Sequence, residues 1–206
     1  MTPRRRALLE ALRDEDASVR ASASEALDRL DVLEGLPELR GRLRQLGKLD
    51  WLRLLRSLVG VRDVECLKLA LGSLAHREED VRLAALDVAE AYSDWRASAS
   101  VAGRLSDRSA LVRARAVEVL GNLGDRRRAG EVAALLKDPD PAVVAAAAGA
   151  LGLLAEASFE PALLPLLAHP VPAVRAAGAA ALGRMGLSLQ PEPGAPAPGR
   201  PDERAD

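Results

Sequence analysis

With 206 residues and a formal net charge of −1, the chain is long enough for one domain or one elongated array, and it has no global pull toward nucleic acid or anionic membrane. Cys66 is the single cysteine, which excludes an internal disulfide and a thiolate zinc cluster. Alanine, leucine and arginine abound and aromatics are confined to Trp51, Tyr92, Trp95 and Phe159, a bias that favours helix.

In chain order, Thr2-Pro3 opens a first helix that carries Leu8 and Leu12 on one face. The apolar stretches of this N-terminus are broken by Glu10 and Asp14. It does not read as a signal peptide, no later run approaches membrane-spanning length, and a soluble cytoplasmic protein is expected. Asp16 then stands three residues before Val19, where its side chain can accept orphan backbone N–H bonds of a second helix. The pattern returns with Ser109 before Val112 and with Asp140 before Val143. Pro141 and Pro172 occupy first helical positions, where no amide hydrogen is needed. Gly124 and Gly186 are placed just past helix ends, and Asp63, Asp94 and Asp125 are placed to cap the helices that follow.

These signals share one period. Val81, Val112, Val143 and Val174 recur every 31 residues, and Val19 lies in the same frame. A stricter column reads Leu12, Leu43, Leu74, Leu105, Leu136 and Leu167. Two further columns run Leu27, Leu58, Ala89, Leu120, Leu151, Leu182 and Leu30, Val61, Tyr92, Leu123, Leu154, Met185. Six units of two helices thus span residues 2 to 187. A single hairpin cannot bury its apolar face alone, so the units are expected to stack.

The phrases LRDEDASVRASASEALDRL and LSDRSALVRARAVEVLGNL follow the pattern LxDxxxxVRxxAxxALxxL. The chain therefore resembles the HEAT repeats, in the short bacterial form of about 31 residues found in phycobilin lyase subunits. The resemblance implies an all-α, right-handed α-solenoid of six HEAT-like helical hairpins. It also implies a ladder of loop aspartates and helix-start arginines, here Asp14 with Arg20 and Asp107 with Arg113. The ladder is interrupted where His76 and His169 replace the aspartate, in unit two (Gln45, Trp51), and in unit five, where Asp138 meets Val144.

Catalytic patterns are missing: the sequence has no Gly-rich phosphate loop, GxSxG elbow or HExxH. His76 and His169 fall in one column three units apart, too distant to share a metal, and read as turn residues. Cys66 has no cationic or histidine neighbour in sequence to activate it and reads as a plain helix residue. Neither a catalytic residue nor a cofactor is expected.

In such repeats the second helices line the concave face. The lining columns read Glu25, Arg56, Asp87, Glu118, Gly149, Ala180 and Asp28, Val59, Glu90, Gly121, Gly152, Gly183: acidic in the N-terminal half, small and apolar beyond. Phosphate binding needs the opposite sign, so nucleic acid is disfavoured. Unit two departs most, with Asp50 in the valine column and Trp51 in the arginine column. Trp51, Leu52, Leu55 and Val59, next to Leu83 and Leu86 and rimmed by Arg56, Asp87, Glu90 and Glu118, form a candidate docking patch for an amphipathic helix or peptide with basic flanks. The competing reading is that these side chains repair the packing of an irregular unit.

Unit six closes on VRAAGAAALGRMG, with scarcely any polar covering, which suggests a partner or self-association there. Residues 188–206 are proline-rich and are expected to form a disordered tail, its PxxP pairs (Pro193/Pro196, Pro198/Pro201) available for docking. The function expected is a non-enzymatic scaffold or adaptor, bacterial by its arginine-rich, lysine-poor usage. The alternatives are an accessory subunit of a lyase-like enzyme, a nucleic-acid-binding HEAT-like protein, and a consensus-derived array.

Overall fold

The computed structural model describes residues 2–154 and 157–186; the expected proline-rich tail lies outside the described residues. Six helical units follow one another. Unit one pairs α1 (Pro3–Ala11) with α2 (Ala17–Arg42), and unit two contributes α3 (Lys48–Leu58). Unit three pairs α4 (Val64–Ser73) with α5 (Glu79–Tyr92), and unit four α6 (Ser98–Ala102) with α7 (Ala110–Leu123). Units five and six pair α8 (Ala129–Ala134) with α9 (Pro141–Leu154) and α10 (Glu160–Leu163) with α11 (Pro172–Gly186). No strand occurs among the described residues, and the architecture is an all-α solenoid. The first helices of units four to six are short and extended by 3₁₀ turns such as Trp95–Ala97 and Arg126–Arg128.

The sequence punctuation works as its chemistry dictates. The side chains of Thr2, Asp16, Asp63, Asp94, Ser109 and Asp125 each accept a backbone N–H in the first turn of the helix they precede. Gly124 ends α7 in the left-handed region at φ 68°, and Ser93 takes the equivalent place after α5 at φ 49°. Gly186 is the last residue of α11 rather than the residue past it.

One boundary differs from expectation. Helix α2 runs unbroken for 26 residues, joining the second helix of unit one to the first of unit two. The column that holds Asp63, Asp94 and Asp125 holds Val32 here, which offers no acceptor to cap a new helix.

The spine is continuous through the middle of the array. Val81, Val112, Val143 and Val174 are completely buried, as are Leu58, Ala89, Leu120 and Leu151. The all-leucine column is not uniformly core: Leu74 and Leu105 are buried, Leu43 and Leu136 half-buried, and Leu12 and Leu167 exposed. The two exposed ones belong to the first and last units described, each with a described repeat on one side.

Between the later second helices the backbones nearly touch. A Cβ on Gly121 would sit 2.9 Å from Cα of Ala150, and one on Gly152 would sit 2.7 Å from Cα of Ala181. These two glycines are therefore buried helix-packing positions and not groove lining, contrary to the helical-wheel reading.

The turn between the helices of each unit has a second use. The Nδ1 atoms of His76 and His169 accept the N–H of Glu78 and Val171, as the carboxylates of Asp14, Asp107 and Asp138 accept that of the residue two further on. The ladder is present but its pairing is shifted. Arg82 reaches forward to Asp107 of the next unit at 2.8 Å, and Arg113 forward to Asp138, in a two-pronged contact at 2.8 Å. Arg113 meets its own unit's Asp107 only at the carbonyl. Arg20 and Arg175 likewise bond their own turn carbonyls. At the preceding junction Trp51 and His76 occupy the same two columns, their ring centroids 5.5 Å apart. Burial pushes the Asp107 carboxyl up, but the Ser109 N–H and Arg82 outweigh it and hold it below the usual carboxylate range.

Two expected outcomes follow from this packing. Gly152→Ala should destabilise the fold by about 1–3 kcal/mol through overpacking, whereas Gly149→Ala, with open space three residues away on α9, should gain up to about 1 kcal/mol of helix propensity; urea denaturation compares them. Asp138→Ala strands a largely buried guanidinium and should cost roughly 3 kcal/mol, most of it recovered in the Arg113→Met/Asp138→Leu pair.

Candidate functional site

The second helices α5, α7, α9 and α11 build the surface that positions every polar group of interest. At its N-terminal end Asp87 and Glu90 project from α5, and Arg115, Glu118 and Asn122 from α7. Arg115 is the hub. Its Nε donates to Asp87 at 2.9 Å, its NH1 to Glu118 at 3.3 Å, and its NH2 to Glu90. Asn122 donates to the other Glu90 oxygen at 2.5 Å. Burial alone would raise the Glu90 carboxyl; the hydrogen bonds from Arg115 and Asn122 outweigh it and leave it below the ordinary range. Burial lowers the Arg115 guanidinium, but Glu90 and Asp87 outweigh it and raise it. Three carboxylates against one guanidinium leave this end acidic, though less so than the columns suggest.

From Glu118 the surface continues as an open groove of about 550 Å³ between α7, α9 and α11. Its floor is small: Ala142, Ala145, Ala146 and Gly149 along α9, and Ala173 on α11. Leu153, half exposed at 50%, stands in it, and Arg184 marks the far end. The residue types are those of a packing surface for another helix or an extended chain, with opposite charges at the two ends.

The residues singled out from sequence divide sharply. Trp51, Leu55 and Leu86 belong to the core, so they offer no face to a partner. Leu52 and Leu83 are half-buried and pack on that core. Trp51 points toward the turn edge, against His76, away from the acidic cluster. These five side chains pack into the joint between units two and three. Arg56, Val59, Asp87 and Glu118 are exposed and Glu90 half-buried. Of these, the structure gathers Asp87, Glu90 and Glu118 into one cluster.

Sequence reasoning missed Arg115, Asn122, Leu153 and Arg184. Arg115 was legible in principle, three residues before Glu118 on one helix, a spacing that lets the two pair. The wheel positions chosen for the lining left that column out.

His76 and His169 are turn residues in separate units, and no grouping of three or more metal-ligating side chains occurs among the described residues. Cys66 is buried in α4. The Tyr92 hydroxyl is pushed up to about 12, chiefly by burial, and is spent on the backbone of Asp63, donating to its carbonyl at 2.9 Å and accepting its N–H at 3.1 Å. None of the described helices is long and apolar enough to cross a membrane.

Comparison with known proteins meets this geometry at the repeat. Residues 129–195, which contain units five and six, match the family model for HEAT repeats. This stretch is made of HEAT repeats. Among solved structures, the complex of CpcE and CpcF of phycocyanin lyase from Nostoc sp. PCC7120 is similar over 91% of this chain, with a TM-score of 0.56 and 20% identity. This chain spans 66% of the length of that neighbour. An engineered protein is similar over 91% of this chain and 98% of its own, with a TM-score of 0.53 and 16% identity. At such identities the likeness is one of fold. No curated protein matched by sequence.

Arg115→Met should destabilise by roughly 1–3 kcal/mol, because it strips the partner from clustered carboxylates. The Glu90 carboxyl is depressed in the fold, so the stabilisation from its pairing is present above its ordinary value and lost as pH falls through the folded one. Wild type and variant should therefore differ clearly at pH 7 and converge in acid, as thermal unfolding at both pH values would record.

Proposed function

We propose that this protein is a non-enzymatic scaffold or adaptor that holds a protein partner on its second-helix face. The observation that carries the reading is the groove running from Glu118 across the alanine floor of α9 to Arg184, with half-exposed Leu153 in its wall. A small, apolar, open floor accepts a helix or extended segment at close range and offers no enclosed chamber for chemistry. Asp87, Glu90 and Glu118 favour a basic residue at one end of that segment, and Arg184 an acidic one at the other. The docking site proposed from sequence thus moves C-terminally, keeping Asp87, Glu90 and Glu118 and giving up Trp51, Leu55 and Leu86.

A second reading is an accessory subunit of an enzyme. It is supported by the fold shared with phycocyanin lyase subunits that were solved as a complex of two chains. The same groove would then seat the catalytic partner. Nucleic acid fits poorly at an acidic lining.

Affinity capture with the wild-type chain followed by mass spectrometry should recover a partner that Ala145→Glu/Leu153→Glu loses at least about tenfold, since two buried contacts become carboxylates. Leu164→Glu, exposed on the first-helix layer, should leave capture unchanged. Equal recovery by the groove double variant, with its helix content intact by circular dichroism, would overturn the reading.

A further inference from the structure

The edge formed by the turns of units three and four concentrates cations, two of them at positions that the later turns fill with other residues. A cleft of about 380 Å³ opens there between Ala75–Arg77 and Gly103–Arg108. Four arginines line it: Arg77, Arg82, Arg104 and Arg108. Asp107 is the one carboxylate in its wall, and Glu78, against Arg77 at 3.4 Å, stands beside it. The Asp107 carboxylate is already committed to Arg82 at 2.8 Å and to the Ser109 N–H, with Arg104 at 3.7 Å. The cleft therefore keeps a clear positive excess.

The repeat frame shows which of these cations are structural. Arg82 is: its terminal nitrogens hold the carbonyls of His76 and Arg77 and the carboxylate of Asp107. Arg104, whose NH1 donates to the Leu74 carbonyl at 3.0 Å, and Arg108 are not required by the frame. One period on, their places are taken by Leu135 and Pro139, and two periods on by Leu166 and Pro170. Those later turns form without them. The Nε groups of Arg82 and Arg104 are buried without an acceptor, as is that of Arg128 outside the cleft, so the groups open to an entering anion are the outer nitrogens of the exposed arginines. Arg77 and Arg108 are exposed, and NH2 of Arg108 donates to the Arg77 carbonyl at 2.6 Å, which fixes the Arg108 guanidinium against the turn that carries Arg77.

We infer that this cleft is a binding site for a phosphoryl group, a phosphomonoester or phosphate dianion held by the forks of Arg77, Arg104 and Arg108 in the field of Arg82. Planar guanidinium donors at several angles suit the tetrahedral oxygens of phosphate better than a single carboxylate plane. The volume admits one phosphoryl group with its nearest waters. The site lies on the turn edge, apart from the second-helix groove, and stands or falls independently of it.

The test is a titration of the full chain with inorganic phosphate at fixed ionic strength, followed by calorimetry and by backbone amide shifts. Saturable binding with shifts confined to residues 75–77 and 103–108 is expected. Arg104→Leu/Arg108→Gln, which introduces at 104 the residue the next unit carries, should weaken it by about tenfold or more. Arg126→Gln/Arg127→Gln, an equal loss of charge at the first-helix starts, should not. A phosphoserine peptide that displaces the phosphate, where its unphosphorylated twin does not, assigns the ligand to a polypeptide side chain; failure to displace it assigns the site to free phosphate. Binding that never saturates, or that weakens equally in both double variants, would overturn the inference, as would undiminished affinity in Arg104→Leu/Arg108→Gln with native circular dichroism.

Discussion

Adjacent hairpins in this protein share one constraint: their second helices must approach until side chains on both are dry. At two junctions this is met by removing side chains altogether. Gly121 admits Ala150 and Gly152 admits Ala181 at backbone contact distance. Junctions nearer the N-terminus keep larger residues in those columns, such as Val59 and Glu90, and rely on buried leucines and on Arg115 instead. The groove inherits its character from this gradient. Where the helices press closest, the surface above them is floored by alanine, and where they stand on larger side chains it is lined by charge.

The turn ladder is the second tie, and it shows how one residue can serve two neighbours. Each Asp or His in the turn column satisfies an amide two residues ahead, and Asp107 and Asp138 also receive the arginine of the unit before. Desolvating an arginine is tolerable only with such full pairing. At the junction where Trp51 and His76 hold these positions, a ring-on-ring contact replaces the ion pair. The column therefore specifies a geometry between units, and the chemistry that fills it can change.

Much of the fold was legible because its signals are local. Caps at Asp16, Ser109 and Asp125 and the left-handed Gly124 act within a few residues, and the valine column repeats the same burial each time. What was not legible depends on three-dimensional neighbours. Leu12 and Leu167 carry the same letter as Leu74 but lie in the first and last units described. Gly121 and Gly152 look like gaps in a lining until the next helix is seen to occupy them. The candidate site was half readable: the carboxylates of Asp87, Glu90 and Glu118 stand out by column, while the burial of Trp51, Leu55 and Leu86 follows from unit two being packed into its neighbours. The missing cap at Val32 was visible in the sequence, yet its result, a helix running through the boundary, contradicts the repeat frame that had exposed the other boundaries so well.

That long helix carries its own soft spot. At 1.5 Å per residue its 26 residues span roughly 39 Å, longer than any other helix described. Gly35 and Pro37 fall just past the boundary between units one and two, and Pro37 takes one amide out of the helical ladder there. Arg5, which clasps Asp31 and Glu34, ties α1 to the stretch that leads into it.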